Sequence, residues 1–231
     1  MIPLRDTATT KSFPSATVAL IGANLLLFIQ ELRASPEFLQ RIIFAYGLVP
    51  DQFMHWVQLG GSPLSLARVL PLVTSMFLHG GWLHLLGNLL YLWIFGDVVE
   101  DRLGHGRFIA FYLVCGIAAG LLQCFFDPES PVPTIGASGA IAGVLGAYLM
   151  TSPRAKIMTF VPVFFIPWII EIPAVVFLIL WFAAQVISGL FSMGRALNGG
   201  VAWWAHVGGF VAGMLLVLIV PKSKARTVRS R

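Results

Sequence analysis

The dominant pattern along the chain is a series of long apolar runs separated by shorter polar segments. A helix needs ~20 residues to cross the hydrocarbon core of a bilayer, which is about 30 Å thick. One apolar segment, Ile157–Trp168, is too short to cross the bilayer and contains Pro162 and Pro167, so we interpret it as interfacial or re-entrant. The runs that predict membrane-spanning helices are 16–30, 82–99, 108–126, 139–150, 172–191 and 202–220.

The composition agrees with an all-α polytopic membrane protein. Of the 231 residues, 58% are hydrophobic and 11% are charged, against about 45–50% and about 25% in soluble domains. The mean hydropathy is +0.85. These values exclude a disordered chain, a coiled coil and almost any soluble enzyme, because only lipid accepts so much apolar surface. We expect a single membrane domain over 1–231.

We attribute the net charge of +5 to basic residues that set the orientation of the protein in the membrane. The basic residues are not clustered with exposed aromatic residues, so we expect no nucleic-acid partner. Six spans place the loop 32–81 on the outer side and both termini, including a basic tail at 221–231, on the cytosolic side, where basic residues concentrate. The four basic residues on the outer side are Arg33, Arg41, Arg68 and Arg195. Those on the cytosolic side are Arg5, Lys11, Arg102, Arg107, Arg154, Lys156, Lys222, Lys224, Arg226, Arg229 and Arg231.

The first apolar run has an alternative interpretation as a signal peptide, since Arg5 and Lys11 precede it. No clean small-residue cleavage site follows it, which favours a span.

Four polar residues fall inside three of the predicted spans, where each is costly and needs an explanation. His84 and Asn88 are four residues apart in the second span and share a helix face. Ser138 opens the fourth span, and His206 lies early in the sixth. All three spans begin on the outer side, so these residues lie at a similar depth.

The fourth span is too short to cross fully. From Ser138 to Ser152 a helix extends roughly 21 Å, and Arg154 holds its far end at the cytosolic surface. Ser138 should therefore lie roughly 9 Å below the outer surface. Irregular backbone at that depth must be buried in protein or line a water-filled cavity, so the preceding segment predicts a pocket of water.

Glycines can bring the serine and the histidine together. The fourth span contains Gly139 and Gly143, and the sixth contains Gly209 and Gly213 on the face of His206. Small residues at this spacing let membrane helices approach closely. Taken singly, each motif has an ordinary explanation: helix packing, a serine N-cap, or a polar contact between helices. Their convergence at one depth indicates a catalytic site.

Four segments resemble the rhomboid family of intramembrane serine proteases, in the expected order and on the expected spans. The resemblance extends over about 73–218. The segments are HGGWLHLLGN (His79 to Asn88), EDRLG (Glu100 to Gly104), GASGA (Gly136 to Ala140) and AHVGGFVAG (Ala205 to Gly213).

The resemblance implies an acyl-transfer mechanism without metal or cofactor. Ser138 would be the nucleophile and His206 its general base, with no acidic third member. His84, Asn88 and the backbone N–H of Ser138 would stabilise the oxyanion. His79 would hydrogen-bond the first loop, and Glu100 and Arg102 would hold the second. The residues that we expect to support the site are His79, Glu100, Arg102, Gly136, Gly139, Gly209 and Gly213.

The implied substrate is a membrane protein with a single crossing helix, and the implied location is a prokaryotic cell membrane with the site open to the non-cytosolic side. The sequence does not define the oligomeric state.

Two positions depart from the family pattern. Many relatives have an aromatic residue four positions after the serine, stacked on the histidine, and this chain has Ala142. Many also have a Trp–Arg pair before the residue corresponding to Thr74, where this chain has Leu70–Pro71. The first departure leaves open what holds the His206 ring.

Other classes fit less well. A metalloprotease needs metal-ligand spacing such as HExxH, which is absent from the sequence. An aspartyl protease needs two intramembrane aspartates, and only Asp97 lies within a predicted span. A transporter would show broken helices in corresponding halves. A catalytically silent rhomboid-like protein that binds membrane proteins remains the alternative, although such proteins generally lack the serine or the histidine.

Overall fold

A computed structural model describes residues 1–62, 65–163, 166–192 and 200–223. Arg195 and the part of the basic tail from 224 onward lie outside the described residues. The helices and strands in chain order are β1 (Ile2–Asp6), α1 (Ser15–Arg33), α2 (Pro36–Tyr46), α3 (Pro50–Gln58), α4 (Leu66–Val69), α5 (Pro71–Thr74), a 3₁₀ turn (Ser75–Phe77), α6 (Trp82–Leu103), α7 (His105–Phe126), α8 (Ser138–Thr151), β2 (Lys156–Val163), β3 (Ile166–Pro173), α9 (Ala174–Ser192) and α10 (Trp203–Ile219).

The protein is a polytopic helical membrane protein. Among the described residues, four helices are long and apolar enough to cross a bilayer: α1, α6, α7 and α9. Two shorter apolar helices, α8 with 14 residues and α10 with 17, accompany them. Each of the six helices begins and ends within four residues of a run that the hydrophobic pattern predicted.

The shortest of these helices, α8, forms the centre of the bundle. Every residue from Gly139 to Tyr148 is buried, and α8 contacts α6, α7, α9 and α10. A helix surrounded on all sides needs small side chains where neighbours come closest, and α8 contains three alanines and three glycines.

The all-α prediction is wrong in one region, because the structure contains a three-stranded sheet in the order β1–β2–β3. The piece Ile157–Trp168, predicted as interfacial or re-entrant, belongs to the hairpin of β2 and β3, in which Pro162 pairs with Pro167. The strand β1 pairs antiparallel with β2. Because β1 lies some 150 residues before β2 in the chain, no local sequence pattern predicts that the two strands pair. The helix α9 accordingly begins at Ala174 instead of the predicted residue 172.

The predicted outer loop 32–81 contains the helices α2 to α5. A small apolar cluster of Leu48, Phe53, Leu72 and Cys124 fixes it against α7. Leu48 also exchanges two backbone hydrogen bonds with Thr134, at 3.0 and 2.7 Å, which joins this segment to the chain just before α8.

Candidate active site

Ser138 and His206 lie in direct contact. The Oγ of Ser138, the first residue of α8, lies 2.8 Å from Nε2 of His206 on α10. His206 is 8% exposed. A hydroxyl at this distance can donate its hydrogen to an imidazole nitrogen, which is the arrangement that activates a serine as a nucleophile.

The glycine faces of α8 and α10 explain how the two helices come so close. A Cβ added at Gly209 would lie 1.9 Å from the carbonyl oxygen of Gly139, and one added at Gly213 would lie 1.9 Å from that of Gly143. Backbone touches backbone at both places, so no side chain fits between the helices. Gly139 follows Ser138 directly, and Gly209 lies three residues after His206, so this contact sets the distance between them.

His84 and Asn88 point toward the backbone just before Ser138. A Cβ added at Gly136, whose φ is +114°, would lie 2.4 Å from Nε2 of His84 and 3.7 Å from Nδ2 of Asn88. Glycine at 136 therefore leaves room for the His84 ring and adopts a φ that other residues rarely take. These two side chains therefore approach the backbone two residues before Ser138.

The protonation of His84 suits a donor. The backbone N–H of Gly80 donates to Nδ1 of His84 at 3.4 Å, which leaves Nε2 to carry the hydrogen. The Nδ2 of Asn88 is buried without a hydrogen-bond partner among the described residues. Two N–H donors and the Ser138 amide, which no preceding helical carbonyl can satisfy, could together contact a developing negative charge.

The chain folds around a cavity of about 910 Å³ that opens onto these groups. Ser138, His206 and His84 line it, together with the segment 127–135 that precedes α8. Asp127 and Glu129 also lie on its wall, but Nδ1 of His206 contacts Gln185 rather than either carboxylate.

Sequence reasoning missed Gln185 and Trp181 on α9. The Oε1 of Gln185 lies 2.8 Å from Nδ1 of His206. The ring centroids of Trp181 and His206 lie 5.9 Å apart. Gln185 is a polar residue within an apolar span, and the rule that singled out the other four polar residues would have found it.

The sequence predicts that His79 hydrogen-bonds the first loop. Neither ring nitrogen has a partner among the described residues, while its backbone N–H donates to Oε2 of Glu31 at 3.2 Å. Burial, and then the neighbouring His84, lower the pKa of His79 to about 4, so the ring is neutral at neutral pH. Its ring packs edge-on against His84, with centroids 5.1 Å apart.

Glu100 and Arg102 connect different helices. The fully buried carboxylate of Glu100 accepts from the backbone N–H of Ala16 and of Thr17, at 2.9 and 2.7 Å, which caps the start of α1. It also lies 2.5 Å from His105, at the second loop where it was expected to act. Arg102 instead reaches the carbonyl of Val217 near the end of α10, at 3.4 Å.

Comparison with known proteins identifies the family. The Rhomboid domain matches residues 66–223. The chain is 30% identical to Rhomboid protein 1, mitochondrial, of Saccharomyces cerevisiae over 221 residues, which are 92% of this chain and 56% of that protein. It is 32% identical to RHOMBOID-like protein 5 of Arabidopsis thaliana over 152 residues, 64% of this chain and 43% of that protein.

A further similar protein is Rhomboid protease GlpG of Yersinia pestis, 29% identical over 159 residues, which are 68% of this chain and 50% of that protein. The chain thus spans about half the length of these relatives. By the domain match and by its similarity over nearly its whole length, the chain belongs to the rhomboid family.

Proposed function

We propose that this chain is a serine endopeptidase that cleaves single-span membrane proteins in or near the bilayer. The observation that carries the proposal is the 2.8 Å contact between Oγ of Ser138 and Nε2 of His206, at the start of the central helix of a membrane protein. The cavity beside this contact gives room for a peptide and for water.

The reaction proceeds in two stages. His206 Nε2 takes the proton of Ser138 while Oγ attacks the peptide carbonyl carbon, and the C=O electrons move onto the carbonyl oxygen. Donors at His84, Asn88 and the Ser138 amide stabilise that oxyanion. The C–N bond then breaks, and the leaving amine takes the proton from His206, which leaves an ester on Ser138.

Hydrolysis of the ester completes the cycle. His206 removes a proton from a water molecule, whose oxygen attacks the ester carbonyl. The C–Oγ bond breaks, the product leaves as a carboxylic acid that then loses its proton to water, and Oγ regains its proton from His206. Nothing in these steps needs a carboxylate partner for the histidine.

The proposed topology has six spans, with α8 and α10 as the fourth and sixth, in one membrane domain with outer segment 32–81 and a cytosolic tail at 221–231. The distribution of basic residues supports cytosolic termini, with the site open to the other side. The membrane that we propose is a prokaryotic cell membrane. The substrate helix must unwind locally before attack, because helical hydrogen bonding shields its peptide bonds.

The alternative function is that of a catalytically silent rhomboid-like protein that binds membrane proteins. The chain contains both a serine and a histidine in hydrogen-bond contact, and a silent protein has no need of either. This feature favours the enzyme.

Cleavage of a single-span model substrate by the purified full chain in liposomes tests the proposal. Wild type should cut, while Ser138→Ala and His206→Ala should not. Equal cutting by Ser138→Ala would refute the mechanism, and binding without cutting by wild type would support the silent alternative.

A further inference from the structure

The side of the His206 ring that faces away from Ser138 has a partner on a third helix. Nδ1 of His206 lies 2.8 Å from Oε1 of Gln185 on α9, and both side chains are buried. The role that we assign to this contact rests on the proposed function, in which His206 is the base.

The side chain of Gln185 is held in one orientation by its own helix. Its Nε2 donates to the carbonyl oxygen of Trp181, one turn earlier, at 3.1 Å. An amide turned the other way would direct its oxygen at that carbonyl oxygen, and two acceptors would face each other with no hydrogen between them. The amide oxygen of Gln185 therefore faces His206, and an amide oxygen only accepts.

An acceptor beside Nδ1 fixes the tautomer of a neutral imidazole. Nδ1 of His206 must carry the hydrogen to donate to Gln185, so Nε2 has the lone pair. That lone pair points at Oγ of Ser138, 2.8 Å away. The opposite tautomer would place an N–H against the serine and leave the amide oxygen buried without a donor, which is costly.

Aromatic side chains on α9 and α10 also restrict the His206 ring. The Trp181 ring lies 5.9 Å from the His206 ring and is tilted by 36°. The Trp203 ring meets it edge-on at 6.2 Å. Ala142, four residues after the serine, is too small to cover an imidazole face, and Trp181 provides an aromatic contact from a different helix.

We propose that Gln185 is the positioning residue for His206, a neutral amide that holds Nδ1 protonated and Nε2 free, with Trp181 restricting the ring. The family resemblance implies a dyad with no acidic member and leaves open what holds the His206 ring. Gln185 orients the base without adding a charge to the interior of the bundle, where a carboxylate would be costly.

Two substitutions of Gln185 separate positioning from packing in the cleavage assay. Gln185→Met keeps the length of the side chain but removes the amide, and should lower kcat about tenfold with KM unchanged. Gln185→Glu is favoured by burial in its neutral acid form, which can donate to the Trp181 carbonyl and still accept from Nδ1, so it should stay within about threefold of wild type. Ile187→Leu, at an exposed position on α9, should cleave as wild type does. The reverse order, with methionine near wild type and glutamate inactive, would make Gln185 a packing residue and overturn the proposal.

The tautomer itself can be measured without any cleavage. Proton–nitrogen correlation spectra of ¹⁵N-histidine-labelled full chain in detergent, at about pH 8 where an ordinary imidazole is neutral, distinguish N–H from lone-pair nitrogens. The chain has five histidines, and a His206→Gln spectrum assigns the relevant signals.

We expect the hydrogen of His206 on Nδ1 in wild type, and loss of that single pattern in Gln185→Met. A wild-type hydrogen on Nε2 would overturn the proposal whatever the cleavage result. An uncut substrate together with the hydrogen on Nδ1 would refute the proposed function and leave this assignment of Gln185 standing.

Discussion

Replacing Gly209 with alanine tests whether the close contact of α8 and α10 builds the site. The added Cβ would lie 1.9 Å from the carbonyl oxygen of Gly139. Carbon and oxygen atoms in close contact lie ~3.3 Å apart, so the helices would have to separate by about 1.4 Å. The obstacle is backbone and cannot rotate away as a side chain would.

Two effects should follow from that separation. Overpacking of this kind costs ~1–3 kcal/mol of folding free energy. His206, one turn before Gly209 on α10, would also move from Ser138, and a misplacement of ~1 Å can cost ~100-fold in rate. We therefore expect Gly209→Ala to lower kcat about 100-fold and to lower Tm.

Thermal unfolding in detergent and cleavage of the single-span substrate measure the two effects. Gly22→Ala in α1 is the matched control, because a Cβ there meets nothing within 4 Å. It should leave kcat unchanged and, by helix propensity, leave Tm unchanged or raised. A Gly209→Ala protein with the kcat and Tm of wild type would refute the role of this contact.

Three further substitutions test other parts of the molecule. Asn88→Ala should lower kcat by ~100-fold with little change in KM, because it removes one donor that acts on the developing oxyanion; an unchanged kcat would remove Asn88 from that role. Glu100→Gln should lower Tm, because the N–H groups at the start of α1 lose a charged acceptor, which costs ~2–3 kcal/mol of folding free energy; an unaltered melting curve would show that the cap is dispensable. Burial raises the pKa of Asp6, which makes its charged form unfavourable in the fold at neutral pH. Asp6→Asn should therefore melt at or above the wild-type Tm at pH 7, with the gain vanishing below the ordinary carboxyl pKa of about 4; a lower Tm at pH 7 would contradict this.

Hydrophobic patterning predicted the helices of the bundle well, because a membrane helix must satisfy its backbone hydrogen bonds within itself. The existence and approximate ends of such a helix then depend on local sequence alone. The short α8 illustrates this, since an apolar run from 139 to 150 predicted the helix Ser138–Thr151.

The sheet could not be predicted in the same way. Its hairpin is local, but β1 pairs with β2 across a large part of the chain, with Ile2 opposite Phe160. Strand pairing over such a distance is decided by the folded arrangement of the helices between. The Pro162 and Pro167 that argued against a span are accommodated as a facing pair in the hairpin.

The site was predicted in part. The spacing of Ser138, His206 and the glycines on their helices pointed to a meeting of α8 and α10, and the structure places those groups in contact. The partner of His206 on α9 depends on the rotation of a third helix about its axis. Gln185 is visible in the sequence as a polar residue in an apolar run, but its partner is visible only in three dimensions.

The most direct test of the central claim is to locate the adduct of a fluorophosphonate on the purified full chain by mass spectrometry. A serine activated by an imidazole reacts with this reagent, and an ordinary serine does not. We expect one adduct, on Ser138, that is lost in His206→Ala. An adduct on another serine, or equal labelling of Ser138 without His206, would contradict the account.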